Sequence, residues 1–210
     1  MEVNPRPRRT QAERTAATRA KLVAASRELF AVNGFADVPT QEIVAAAGVT
    51  RGALYHQFAD KTELFAAVYE DVEAELVARI AARIAEAEPA DHLAAMRTGA
   101  RLFLDVCSAP DVQRIVLIDA PAVLGWQRWR EVGMRYGLGV VEAMLAQAMA
   151  DGAIPQQPVR PTAHVLLGAL DEAALFIARA ADQAAAKSDM YAVCDRLING
   201  IAANSIASND

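Results

Sequence analysis

The sequence predicts an all-α fold, and three observations predict it. Alanine, the strongest helix former, fills 47 of the 210 positions. Glycine and proline number only 11 and 9, few for an all-β or low-complexity chain. No run of residues alternates apolar and polar with the period of two that marks a half-buried strand. Two cysteines exclude a disulfide framework, so Cys107 and Cys194 read as reduced, packed thiols. Met1 to Lys21 is basic and polar, without the apolar run of a signal peptide. No uninterrupted apolar stretch reaches the roughly 18 residues of a membrane span. The expectation is a cytoplasmic protein without a membrane partner.

The elements follow in order. Residues 1–10 carry Pro5, Pro7, Arg6, Arg8 and Arg9, which reads as a basic arm. A helix is expected from about Gln11 to Asn33, with Leu22, Ala25, Ser26, Leu29 and Phe30 on one apolar face. Gly34 stops it in a left-handed conformation, and Phe35 packs back under its end. Pro39 to Phe58 holds two short helices broken at Gly48. Either Pro39 takes the first helical position of the first or Thr40 caps it. Thr50 caps the second, Arg51 to about Phe58. Asp60 caps a third helix that begins at Lys61 and ends before Pro89. Further helices are expected near 90–107, 111–118, 122–151, 161–186 and 189–206, with breaks at Pro110, Pro121, Gly152 to Pro161 and Lys187-Ser188-Asp189; the terminal Ser205 to Asp210 is expected to fray. The chain divides into an arm over 1–10, a domain over 11–62 and a larger domain over 63–210.

Charge is unevenly distributed. Met1 to Lys61 holds nine cationic and six anionic side chains, a net of +3, against −8 for the remainder. A basic N-terminal segment on an acidic body points the N-terminal segment toward an anion. Two short helices joined by a tight turn with glycine make a helix-turn-helix. Ile43, Ala47, Val49, Leu54 and Phe58 supply its interior, and Ala45 and Ala46 are small enough for the helices to cross closely. Arg51, Gly52, Ala53, Tyr55, His56 and Gln57 are left on the outer sides of the second helix. Such a helix can enter a major groove: Arg51 reaches guanine, Gly52 lets the backbone approach, and Ala53 touches a thymine methyl. Tyr55 and Lys61 are long donors for phosphates, and the helix beginning at Lys61 favours an anion at its start. An internally packed helical hairpin is the other reading of the same topology. Arg6, Arg8 and Arg9 either enter the adjacent minor groove or form a solubilising tail.

Gly34-Phe35, the run from Ile43 to Phe58, and Asp60-Lys61-Thr62-Glu63-Leu64-Phe65 together resemble the DNA-binding domain of the TetR family of bacterial transcriptional regulators, over roughly residues 15 to 66. The resemblance implies three N-terminal helices for DNA and a larger helical domain for effector and dimer. It implies a homodimer on a palindromic operator of double-stranded DNA, most often a repressor, released by a small-molecule effector. Thr40, Tyr55 and Lys61 match family positions that contact phosphates. Gln41, Arg51, Gly52 and His56 match positions near bases, while Thr50 and Ala53 complete the candidate surface. Val38-Pro39 departs from the family, whose members commonly carry Thr or Ser there.

The C-terminal part is read from its side chains. Trp126 and Trp129 fall on one helical face that Gly133 and Tyr136 continue. Gly125, Gly133, Gly137 and Gly139 permit close packing, a kink or room for a ligand. Arg101, Phe103, Trp126, Trp129, Tyr136 and Phe176 are candidates for a ligand pocket, with core packing as the competing reading of the aromatic residues and pairing with acids as that of Arg101. Family analogy places the dimer interface on the last two helices, with Leu166, Leu170, Ala173, Ile177, Leu197 and Ile201 as its candidates.

No phosphate loop, metal-binding cluster or nucleophile elbow is present in the sequence. His56, His92 and His164 are scattered, and Asp171-Glu172 point to different faces of a helix. No cofactor, metal or catalytic activity is expected. The alternative to a DNA-binding regulator is a helical ligand-binding protein with weak or vestigial DNA binding.

Overall fold

The computed structural model describes residues 10–203, and among them every regular element is helical. The elements are α1 (Gln11–Asp37), α2 (Thr40–Ala47), α3 (Arg51–Gln57), α4 (Lys61–Ala87), α5 (His92–Cys107), α6 (Pro110–Val112), a π-helical segment (Gln113–Asp119), α7 (Ala120–Ala150), α8 (Val159–Arg179) and α9 (Gln183–Ala202). The chain divides into two compact units between Asp71 and Val72, inside α4, where the sequence places a boundary at 62. The arm arginines Arg6, Arg8 and Arg9, and the end expected to fray, lie outside the described residues.

In the first unit, Thr10 opens α1 with a reciprocal cap. Its Oγ1 accepts from the Glu13 amide at 3.2 Å, and Glu13 Oε2 accepts from the Thr10 amide at 2.7 Å. Leu22, Ser26 and Phe30 are fully buried on one face, at the spacing the sequence predicts. Gly34 interrupts the helix as expected, but at φ 79°, ψ 166° rather than in the left-handed helical region. Only glycine adopts that conformation without strain. The break turns Phe35 back onto Phe30 and Phe65, with ring centroids 5.7 and 5.2 Å away. These rings join Val38, Ile43, Leu54 and Leu64 in the core.

The second unit corrects several expected boundaries. Asp91 caps α5, its Oδ1 accepting from the Ala94 amide at 2.6 Å. In place of separate helices at 111–118 and 122–151, α6 leads directly into the π-helical segment and α7. Pro121 does not break the chain there, because it stands in the first turn of α7, where its missing N–H is not needed. The real interruption is Gly125, at φ 79°, ψ 157°. Gly137 serves close packing: a Cβ there would stand 3.3 Å from the Leu167 side chain. The break expected at Lys187-Ser188-Asp189 falls inside α9. Instead α8 ends at Arg179, Ala180 is extended, and Asp182 caps α9 by accepting from the Ala185 amide at 3.0 Å.

Among the described residues, one helix, α8, is long and apolar enough by length and composition to cross a membrane. It packs against α5, α7 and α9 and pairs its Asp171 with Arg130 of α7, the behaviour of a core helix.

Candidate nucleic-acid interface

The helix-turn-helix is built by short-range bonds that the sequence makes legible. Gly48 closes α2 in the left-handed region, at φ 62°, ψ 38°. That turn sends the Gly48 and Val49 amides back to the Ala45 and Val44 carbonyls, at 3.2 and 3.0 Å. Thr50 then caps α3, with Oγ1 accepting from the Ala53 amide at 3.2 Å. At the start of α2, Pro39 is itself the cap residue and Thr40 the first helical residue, so neither of the two expected arrangements holds. Proline offers no side-chain acceptor, so α2 begins without a side-chain cap.

Leu54, fully buried, pins α3 to its unit, together with Ile43, Ala47 and Phe58. Ala45 and Ala46, expected at the helix crossing, are exposed; Val44 is buried instead. With Leu54 inward, Arg51, Gly52, Tyr55 and His56 are exposed, and Ala53 and Gln57 half-buried. Gln41 is exposed and Thr40 half-buried on α2. A Cβ at Gly52 would meet only Thr50 Oγ1, at 3.9 Å, so nothing within this chain calls for glycine there.

The basic side chains of this surface lie on aromatic rings. The Arg51 guanidinium lies 5.5 Å from the Tyr55 ring centroid. The Arg51 and Thr40 side chains beside it hold the Tyr55 phenol below its usual pKa. Lys61 Nζ stands 4.3 Å over the Phe35 ring. Burial lowers the pKa of its amine, and the nearby Asp37 carboxylate opposes that shift. Arg19 of α1 covers Phe58 at 4.4 Å; no sequence signal singled out this residue, because the contact joins distant elements. At the start of α4, Asp60 Oδ1 already accepts from the Glu63 amide at 2.8 Å, so a carboxylate occupies part of the anion site expected there.

The ligand candidates of the second unit differ in exposure, and Trp126 and Trp129 pack with ring centroids 4.7 Å apart. Trp129 is buried and donates its indole N–H to the Val116 carbonyl at 2.8 Å, while Trp126 beside it is 61% exposed. Phe176 is exposed, and Phe103 and Tyr136 are half-buried. Arg101 is ion-paired with Asp195 of α9, the acid-pairing alternative. A cleft of about 600 Å³ opens elsewhere, lined by Ile84, Ala95, Val140 and Met144, with the paired His92 and Asp151 at its rim; none of the six candidates lines it. Of the dimer candidates, Leu166, Ala173 and Ile177 are buried within their own unit, Leu170 and Ile201 are half-buried, and Leu197 is exposed. Among the described residues, no three His, Cys, Asp or Glu side chains gather as a metal site.

Comparison with known proteins agrees with this architecture. Residues 22–68 match the family model described as bacterial regulatory proteins, tetR family. Residues 93–201 match the model described as tetracyclin repressor-like, C-terminal domain. The HTH-type transcriptional regulator CymR of Pseudomonas putida is 35% identical over 119 residues, 56% of this chain and 59% of CymR. The TetC protein of transposon Tn10 from Escherichia coli is 26% identical over 141 residues, 67% of this chain and 70% of TetC. Among solved structures, a TetR-family transcriptional regulator from Pectobacterium atrosepticum superposes with a TM-score of 0.80 at 34% identity, covering 92% of this chain and 97% of its own. RolR, solved in complex with resorcinol, shares the fold with a TM-score of 0.71 at 19% identity, covering 95% and 100%.

Proposed function

This chain belongs to the TetR family of bacterial transcriptional regulators, and on that premise we propose that it acts in the cytoplasm as a homodimeric repressor released from a palindromic operator by a small-molecule effector, without catalytic activity. The observation that carries the DNA reading is the outer face of α3. Leu54 fixes the helix from behind, and the face it leaves open holds Arg51, Tyr55 and His56 around a glycine that the fold itself does not demand. A glycine with open space in front of it allows close approach of another backbone, as a groove wall requires. Thr40, Gln41, Thr50 and Ala53 extend this surface, and Lys61 supplies a further cation.

The effector belongs to the second unit. The cleft at Ile84, Val140 and Met144 is mostly apolar with an ionisable rim. Its size lies within the roughly 300–1,000 Å³ typical of small-molecule sites. We assign the effector to this cleft, which none of the aromatic candidates lines.

The test is selection of fragmented DNA from the source genome by the purified full-length protein at about 150 mM salt, where non-specific binding is weak. Enrichment of one inverted repeat, with half-sites about one helical turn or a multiple apart, is expected. Folded protein that enriches no sequence, with or without small-molecule extracts of the source cells, would overturn the reading.

A further inference from the structure

The cleft of the second unit has an apolar wall and an acidic rim. The wall is Ile84 of α4, Ala95 of α5, and Val140 and Met144 of α7. Gly99 backs it, since a Cβ there would stand 3.2 Å from Ile84 Cδ1 and 3.8 Å from Met144 Cε. The titratable lining is confined to Asp91, His92 and Asp151, where α5 begins and α7 ends. Asp91 Oδ1 accepts from the Ala94 amide at 2.6 Å, and Asp151 Oδ1 from the Gln147 side-chain amide at 3.1 Å. Both donors are neutral. Asp151 Oδ2 pairs with His92 Nδ1, and one imidazole cancels at most one of the two carboxylate charges. The rim is therefore net negative in either state of the imidazole. Among the described residues that line the cleft there is no lysine or arginine. Cations of the flanking helices are engaged elsewhere: Arg83 with Glu86 at 3.7 Å, Arg97 with Asn199 at 2.9 Å, and Arg101 with Asp195.

A ligand of this cleft exchanges water for hydrocarbon at the wall and meets carboxylates at the mouth. An anion would face like charge and find no basic partner. A neutral molecule would gain from the wall alone. A cation with an apolar body gains from both. We propose that this cleft takes a small lipophilic cation, its apolar body against Ile84, Val140 and Met144 and its charge beside Asp91 and Asp151. The Asp151 side chain is 44% exposed, so the bound charge stays at the mouth and keeps part of its hydration, which avoids the cost of a fully buried ion pair. The proposal rests on the effector assignment above and adds the chemical class of the ligand.

Tetraphenylphosphonium and tetraphenylborate, ions of one shape and opposite charge, are the probes. Their binding to the full-length protein is measured by titration calorimetry at one ionic strength. The phosphonium should bind about tenfold or more tightly than the borate. The chain's net charge of −5 favours a cation everywhere, so variants locate the effect. Asp91→Asn with Asp151→Asn removes both rim charges, while asparagine keeps an acceptor for the Ala94 amide; the preference should vanish. Asp111→Asn with Glu131→Gln removes the same formal charge outside the cleft and should leave the preference as in wild type. Val140→Trp, at a position 36% exposed, fills the cleft and should abolish cation binding. Circular dichroism and melting temperature establish that each variant is folded. Equal affinity for the two ions, tighter binding of the borate, no binding of either, or a preference that both double variants remove alike overturns the proposal. Cation binding that survives Val140→Trp overturns the cleft as the site, and the effector assignment with it. Operator release is scored separately, on the operator recovered by genomic selection. Phosphonium bound in the cleft that leaves operator affinity unchanged overturns the regulatory reading above, while the ligand class stands.

Discussion

The surroundings of Asp171 oppose its charge. It pairs with Arg130 of α7, yet its side chain is only 19% exposed. Burial pushes its carboxyl up to about 6, against the pull of the guanidinium. The same burial raises the neighbouring Cys107 thiol well above its usual value, helped by the charges of Glu73 and Asp171. The folded protein thus holds this proton more tightly than the unfolded chain, whose aspartates titrate near about 3.9. The stability so contributed is complete below that lower value and is lost as pH rises through about 6. Relative to Asp171→Asn, wild type should therefore be more stable at pH 4 than at pH 7.5, by an amount on the order of 2 kcal/mol. Urea midpoints of both proteins at the two pH values measure this, and an equal difference at both would show that the carboxylate stays ionised throughout. Nothing in the spacing of Asp171 announced its partner, 41 residues away. The exposed Arg51, Tyr55 and His56 were legible because a short amphipathic helix with one buried leucine leaves little choice of outer face. Arg19 was not, because its contact with Phe58 exists only once three helices have packed.

Helix ends show how far local chemistry carries. Thr10, Thr50 and Asp60 each stand three residues before an amide that their side chain accepts, and each marks a helix start near where the sequence places one. The boundary between α8 and α9 fails the same reading for a definite reason. Lys187-Ser188-Asp189 is polar, yet none of the three is a glycine or a proline. The cap is Asp182, hidden in an alanine-rich run. Asp182→Ala should cost about 1 kcal/mol, the usual loss of an N-cap. Ser188→Ala, exposed within α9, should be neutral or slightly stabilising, since alanine is the better helix former by a few tenths of a kcal/mol, roughly. Thermal melts of the two variants decide the boundary, and the reverse order would place the break where the sequence suggested. The interruption at Gly125 was also unclear in advance. Four glycines in one stretch look alike, and only the packing around them separates a kink at Gly125 from a close contact at Gly137.

At the scale of the whole molecule, the question is which surface a second copy covers. Half of the residues that family analogy offers for that role are buried inside their own unit: Leu166, Ala173 and Ile177. Periodicity finds the apolar positions of a helix but does not say which of two apolar sides meets its own chain. The large apolar side chains that α8 and α9 leave outside are Val165 at 72%, Phe176 at 51% and Leu197 at 48% exposure. Val165 and Phe176 are eleven residues apart, about three turns, and so lie on one side of α8. Leu197 lies on α9, which packs against α8. Single exposed apolar residues need no explanation, but three on a packed helix pair fit the self-complementary patch of a two-fold dimer. Val165→Glu combined with Leu197→Glu should therefore give a particle of one chain mass, 22.5 kDa, by light scattering, against twice that for wild type. Helical content should be retained, because neither side chain belongs to the interior. Operator affinity should collapse, since one recognition helix then holds one half-site without its partner. Val32→Glu, equally drastic at a position 80% exposed on α1, should leave the mass at two chains. A double variant that remains dimeric would move the interface off α8 and α9. One that becomes monomeric but keeps full operator affinity would separate dimerisation from DNA binding altogether.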